Sequence, residues 1–257
     1  MISFVGAGPG AADLITIRGA QRLARADVVV WAASLVPQEL LEHCRSGVEL
    51  HDSSLMTLEQ VTAVFASRPD APIVRLHSGD PTVYSAIGEQ IAWCVAHGRP
   101  FEIVPGVSSM AAAAAAAGHE LTVPGIAQSV VLTRLAHRTS ASTAEGERMA
   151  ALARPGVTMA VFLSAARPEA LQEELLADGS VYAQDTPAVI ALRVSWPDER
   201  IVRTTVGALA ASLRDLGETT TVLVLVGEAL RRAAPPVRSH VYLPGFETSF
   251  RSSSAVR

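Results

Sequence analysis

The chain has 257 residues, a net charge of -4 and 49% hydrophobic, 18% charged and 5% aromatic residues, the composition of a core-rich globular protein with room for two modest domains. All 21 basic residues are arginine; lysine and asparagine do not occur. A GC-rich genome suffices to produce that, yet it excludes Schiff-base lysines, lysine-bound pyridoxal phosphate and P-loop lysines, and the mild acidity argues against sequence-independent nucleic-acid binding.

Short apolar runs alternate with helix-length amphipathic segments. ISFVG at Ile2–Gly6 predicts a buried strand, residues 14–25 a helix and residues 27–31 the next strand. Helical patterns follow at 37–45 and 57–67, then a strand at 71–79, a helix at 82–97 and a strand with its turn at 101–106. This alternation predicts a mainly parallel sheet covered on both faces. The run of seven alanines at 111–117 is a strong helix former. In the second half, residues 129–133, 157–164, 188–194, 201–205 and 220–227 read as strands, and 142–153, 167–177 and 207–216 as helices. SWPDER at 195–200 joins two strand runs through a short turn, so a hairpin and a mixed second sheet are expected. The expected fold is thus α/β in two α/β domains, residues 1–120 and 121–257. Cys44 and Cys94 have no metal or CxxC spacing and are expected as reduced thiols in a cytoplasmic protein. No secretory signal or membrane span is expected; the longest uncharged stretch, 103–118, is too short and too broken to cross a bilayer.

Three glycine-containing turns follow strands in the first half. GAGPGA, residues 6–11, fits a loose dinucleotide pattern through Gly6, Gly8 and Ala11. Pro9 removes an N–H from it, and the second strand ends in VVVWAASL without an acidic residue for a ribose, so the loop reads equally as a ligand cradle or a tight turn. HSGDP, residues 77–81, lies at a strand's carboxyl end, where open α/β sheets bind ligands; Asp80 suits ribose hydroxyls or an ammonium group, or an N-cap for a helix starting near Thr82. VPGVSS, residues 104–109, offers Ser108 and Ser109 at a helix start, for a carboxylate or for capping. Together the turns describe a small polar ligand spread across a sheet edge.

GAGPG, SGDP and VPGVSS at this spacing resemble the tetrapyrrole (corrin/porphyrin) methyltransferase family. The resemblance runs the length of the chain. HELTVP (119–124), QSVVLTR (128–134), MAVFLS (159–164), SWPDE (195–199) and HVYLPGFETSFR (240–251) are most similar to its precorrin-4 C(11)-methylating branch, cobalt-precorrin-4 enzymes included. The resemblance implies S-adenosylmethionine as cofactor, lying in a cleft between the domains, and a homodimer. It places Pro9, Gly79, Asp80, Val83, Ser108 and Ser109 on the cofactor, and assigns Leu163, Ser164, Val194 and Val222 to mainly backbone and apolar contacts with its adenine. In uroporphyrinogen-methylating members the position matching Ser164 is typically methionine. The substrate it implies is a precorrin macrocycle with carboxylates around its rim, methylated at carbon 11. Arginine binds such carboxylates bidentately, which makes Arg75 and Arg134 candidates. Gly8, His77, Tyr84 and His119 lie beside the motifs as further substrate candidates. An electron-rich carbon attacking a sulfonium methyl needs alignment more than acid or base, so neither a nucleophile nor a metal is expected. The seven histidines show no HExxH spacing.

Overall fold

A computed structural model describes residues 1–135 and 148–231, together with Ser239, Val241, Leu243, 245–247 and 249–251. It divides into two compact units: Met1–Ala116 with Arg193–Arg200, and Ala117–Leu192 with Ile201–Arg257. The segment carrying SWPDE thus belongs to the first unit, although the strands on either side of it lie in the second.

The first unit holds five strands, β1 (Ile2–Gly6), β2 (Val28–Trp31), β3 (Glu49–Asp52), β4 (Ile73–His77) and β5 (Phe101–Val104), in the order β3-β2-β4-β1-β5. Every pairing is parallel. β3 is a strand that the sequence reading left out: ELHD at a sheet edge carries no apolar run. The helices are α1 (Ile17–Leu23), α2 (Leu58–Ser67), α3 (Ile87–Ala96) and α4 (Ser109–Ala117). The Thr16 hydroxyl accepts from the Gly19 N–H at 3.1 Å and starts α1 there rather than at residue 14. Thr57 and Gln60 form a reciprocal capping box at the start of α2. The helical pattern at 37–45 is realised as a 3-10 helix, Gln38–His43.

Period-2 alternation splits the strand residues between two cores. Val5, Val29, Val74, Leu76 and Val104 pack with Leu23 of α1 and Leu40 on one face. Ile2, Phe4, Val28, Val30 and Ile73 pack with Val61 and Phe65 of α2 and Cys94 of α3 on the other. Phe4 meets Phe65 and Phe101 edge-on, with ring centroids at 6.5 and 6.2 Å. Arg22 of α1 holds Glu102 of β5 through two hydrogen bonds of 2.5 and 3.1 Å, and the Ser3 hydroxyl donates to the same carboxylate. The bond from Arg22 is the largest influence on Glu102; it outweighs burial, which disfavours the anion, and holds the carboxyl below its ordinary range.

β1 and β4 are neighbours, yet their connections leave in opposite directions. β1 leads through α1, on one face, to β2; β4 leads through α3, on the other face, to β5. This is a topological switch point, and open α/β sheets bind ligands outside the carboxyl ends of the strands at such a point.

The second unit holds β6 (Ser129–Arg134), β7 (Val157–Phe162), β8 (Pro187–Leu192), β9 (Arg200–Thr205) and β10 (Val222–Val226), in the order β6-β7-β10-β8-β9. β6 and β7 are parallel, and β10 is antiparallel to both β7 and β8, so the sheet is mixed. Helices α5 (Met149–Leu152), α6 (Pro168–Leu176) and α7 (Leu209–Leu216) cover it, with Leu171, Leu175, Leu209 and Leu213 set against Met159, Ile190 and Val224. Residues 142–147 of the helix expected at 142–153 lie outside the described residues. No helix among the described residues is long and apolar enough to cross a membrane.

Candidate functional site

The loops after β1, β4 and β5 meet backbone to backbone at the switch point. The Gly8 N–H donates to the Gly79 carbonyl at 3.2 Å, and the Gly79 N–H donates back to the Gly8 carbonyl at 2.7 Å. Both residues have positive φ, +81° and +66°, which side chains resist. A Cβ on Gly6 would lie 2.5 Å from the Gly106 Cα and 2.7 Å from the Gly79 carbonyl oxygen; one on Gly106 would lie 2.8 Å from the Gly6 Cα. Three loops therefore share a space with room for backbone alone. Gly106 is the member that sequence reasoning passed over, since a glycine after VP reads simply as a turn.

Asp80 ties this cluster together. One carboxylate oxygen accepts from the Gly106 N–H at 2.9 Å; the other accepts from the Thr82 N–H at 2.8 Å and from the Thr82 hydroxyl. Burial works against the anion, but these hydrogen bonds outweigh it and hold the carboxyl below the usual carboxylate range. The Asp80 turn displaces the helix start: α3 begins at Ile87, not Thr82, and Tyr84 and Ala86 adopt left-handed backbone at φ +52° and +49°. Such geometry costs on the order of 1–3 kcal/mol per residue and concentrates at functional sites. Val83 lies inside this turn, and Tyr84 is 44% exposed at its tip. Ser109 begins α4, and its N–H lies 3.7 Å from the position a Gly79 Cβ would take; the Ser108 hydroxyl accepts from the Met110 N–H. Pro9, Gly79, Asp80, Val83, Ser108 and Ser109 thus gather in the first unit. Val194 joins them, buried, with its carbonyl oxygen 2.9 Å from where a Gly10 Cβ would lie.

Arg75 and His77 alternate along β4 on the Phe4 face of the sheet. Two carbonyls, those of Val30 and Leu76, accept from Arg75 Nη1 at 3.3 and 3.2 Å. Burial lowers the Arg75 pKa to about 10. His77 is buried beside Phe4, its Nε2 has no hydrogen-bond partner, and burial reinforced by the Arg75 charge lowers its pKa to about 3. The ring is therefore neutral at any ordinary pH.

In the second unit, β-register collects Arg134, Leu163, Ser164 and Val222 at one end of the sheet. Arg134 is paired with Phe162, and continuing the β7–β10 register sets Leu163 opposite Val222. Leu163 is 69% exposed with left-handed φ of +52°, whereas Ser164 is buried, its hydroxyl accepting from the Leu135 N–H and donating to the Phe162 carbonyl. Arg134 is exposed at the end of β6. His119 stands apart from this set: its Nε2 accepts from Arg203 Nη1 at 2.8 Å, while Arg203 Nη2 donates to the Ala117 carbonyl at the end of α4.

The family model for the tetrapyrrole (corrin/porphyrin) methylases matches residues 1–210. The chain belongs to this family. A precorrin-4 C(11)-methyltransferase of Mycobacterium tuberculosis is 45% identical over 232 residues, covering 89% of this chain and 91% of the relative. The solved structure of a cobalt precorrin-4 methyltransferase superposes with a TM-score of 0.83 at 40% identity, covering 90% of this chain and 95% of the other. A uroporphyrin-III C-methyltransferase from Thermus thermophilus, solved with S-adenosyl homocysteine, superposes with a TM-score of 0.73 at 27% identity, covering 93% and 99%. The expected family and two-sheet α/β fold are both found.

Proposed function

We propose that this methylase transfers a methyl group from S-adenosylmethionine to carbon 11 of precorrin-4, giving precorrin-5 in corrin biosynthesis. The observation that carries the reading is the fusion of the Gly6, Gly79 and Gly106 loops around an ionised Asp80 at the sheet's switch point. The fused loops hold Gly79 with open space beside it, where a Cβ would meet nothing nearer than the Ser109 nitrogen at 3.7 Å, and the residues around it match the needs of the cofactor's polar portion. The Asp80 carboxylate would take ribose hydroxyls or the ammonium group. Ser108, Ser109 and the first N–H groups of α4 would take the carboxylate. Gly79 and Val83 would line the path between, and Pro9 would border the substrate. Leu163, Ser164, Val194 and Val222 are proposed for adenine; the Ser164 hydroxyl is already used internally, so its contact would be a backbone one.

The cofactor supplies an electrophilic methyl group on a positively charged sulfonium. The protein aligns the attacking carbon and excludes water; orientation of this kind is worth on the order of 7–11 kcal/mol. Gly8, Tyr84 and Arg134 are proposed for the macrocycle, the first two beside the cradle and the third for a rim carboxylate. Arg75, His77 and His119 are proposed with them, but each would first have to give up its present packing or hydrogen bond.

The 45% identical mycobacterial relative supports the metal-free ring as substrate. The structural superposition favours a second reading, cobalt-precorrin-4, in which cobalt belongs to the substrate. Incubation with methyl-labelled cofactor and each macrocycle separates the two, and transfer of label to neither overturns both. By family resemblance we further propose a cytoplasmic homodimer, which light scattering on the purified protein tests for subunit number.

A further inference from the structure

The GAGPG loop is fastened on two sides, and one fastening comes from far along the chain. Gly8 is bonded to Gly79; beyond it, the Pro9 carbonyl accepts from the Trp196 indole N–H at 3.1 Å, and the Ala11 N–H donates to the Ser195 hydroxyl at 2.9 Å. Gly10 lies so close under the indole that a Cβ there would overlap Trp196 Cδ1 and Nε1. The segment 193–200 that delivers these groups is itself held against backbone preference. Arg193 and Ser195 have left-handed φ of +46° and +66°. Bonds within the segment sustain that shape: Arg193 Nη1 donates to Asp198 at 2.7 Å, the Ser195 N–H to Glu199 at 2.7 Å and the Trp196 N–H to the Arg193 carbonyl at 2.9 Å. A turn that merely joined two strands would place glycine or asparagine, not Arg193 and Ser195, at its left-handed positions, and would need no tryptophan among Ser, Pro, Asp and Glu.

We infer that Trp196 and Ser195 are positioning residues, which hold Pro9–Ala11 in the one shape that methyl transfer requires. Trp196 fixes the carbonyl of a residue that lacks an N–H of its own. Ser195 fixes the amide of Ala11, two residues further on. The indole fills the space above Gly10, so the loop cannot rise toward it. The catalytic part of this inference rests on the proposed methyltransferase reading.

Two variants test it. Trp196→Phe keeps an aromatic ring and removes the indole donor; Ser195→Ala removes only the hydroxyl. In both, hydrogen exchange at the Ala11 amide is expected to quicken about five- to ten-fold. In Trp196→Phe, kcat is expected to fall about ten- to hundred-fold with the KM for the cofactor unchanged, because the loop bordering the substrate is misplaced while Asp80, Ser108 and Ser109, which Trp196 does not touch, stay where they are. A residue that only supported folding would lower the melting temperature and leave kcat per folded molecule intact. Wild-type kcat in Trp196→Phe, or unaltered Ala11 exchange in both variants, overturns the inference. A wild-type protein that methylates no tetrapyrrole defeats the functional reading instead, and the exchange rates then decide the fastening by themselves.

Discussion

His77 gives the protein a measurable acid sensitivity. An exposed histidine in the unfolded chain takes up a proton near pH 6.5, whereas buried His77 resists it down to about 3. Between those values the unfolded state binds the extra proton, so stability is complete above about pH 6.5 and falls as the pH drops toward 3. One pH unit is worth about 1.4 kcal/mol in that window, so the loss amounts to about 2 kcal/mol at pH 5 and about 3 kcal/mol at pH 4. His77→Leu removes the titrating ring and the unpartnered Nε2 while keeping an apolar side chain against Phe4. Its stability at pH 8 depends on how the leucine packs; its pH dependence does not. Urea unfolding of both proteins at pH 8 and pH 5 isolates the difference, because the acid sensitivity of the carboxylates is common to the two. The wild type is expected to lose about 2 kcal/mol more than the variant between those values. Parallel pH profiles would show that His77 charges freely in the folded state, and the reasoning from its burial would fail.

Gly106→Ala places a methyl group against the Gly79 carbonyl and within 2.8 Å of the Gly6 Cα, all backbone that cannot turn aside. It is expected to cost about 1–3 kcal/mol in thermal unfolding and to reduce methyl transfer about a hundred-fold. Asp80→Asn leaves one of the two carboxylate positions as a donor, so either the Gly106 or the Thr82 link is lost whichever way the amide faces. With Asp80 only partly buried, a loss of about 1–2 kcal/mol is expected at pH 7 by denaturant titration. The difference should vanish at acid pH, since the wild-type carboxyl contributes above its usual range and ceases to as the pH falls through its lowered folded value. Thr158→Val strands the Leu121 carbonyl, which the fully buried Thr158 hydroxyl meets at 2.8 Å, and is expected to cost about 1–3 kcal/mol of unfolding free energy.

Strands were legible in the sequence wherever both faces are buried. ISFVG and VVVW form nearly continuous apolar runs because each packs on α-helical and loop residues from both sides. β3 escaped for the opposite reason: Glu49 bonds both His51 and Arg68 at the sheet edge, and polar alternation carries no strand signal. The start of α3 escaped because left-handed φ at Tyr84 and Ala86 is a property of the Asp80 turn, not of tyrosine or alanine. Among the site residues, the glycine motifs were visible because close backbone approach leaves no other residue type possible. Trp196 was not, since its partner Pro9 lies 187 positions away. The one available signal was chemical: a tryptophan in a polar turn has apolar surface to cover, and here it covers Gly10.

The charge pattern of the switch-point loops argues for the sign of what they hold. GAGPGA, HSGDPTV and VPGVSS contain no arginine, although arginine is the only cation this chain uses. Their one histidine is kept neutral by burial, and their one acid, Asp80, is kept ionised by three hydrogen bonds. Both shifts push the cradle toward negative charge, by opposite routes. Asp80 also lies in a partly dehydrated setting, where a charge acts more strongly than it would in water. A loop set built for phosphate would reverse this pattern, with basic side chains or a row of free N–H groups; Pro9 withholds one such N–H at the loop's centre. A ligand with a permanent positive charge is favoured by the same features, and a sulfonium beside an α-ammonium group is a ligand of that kind.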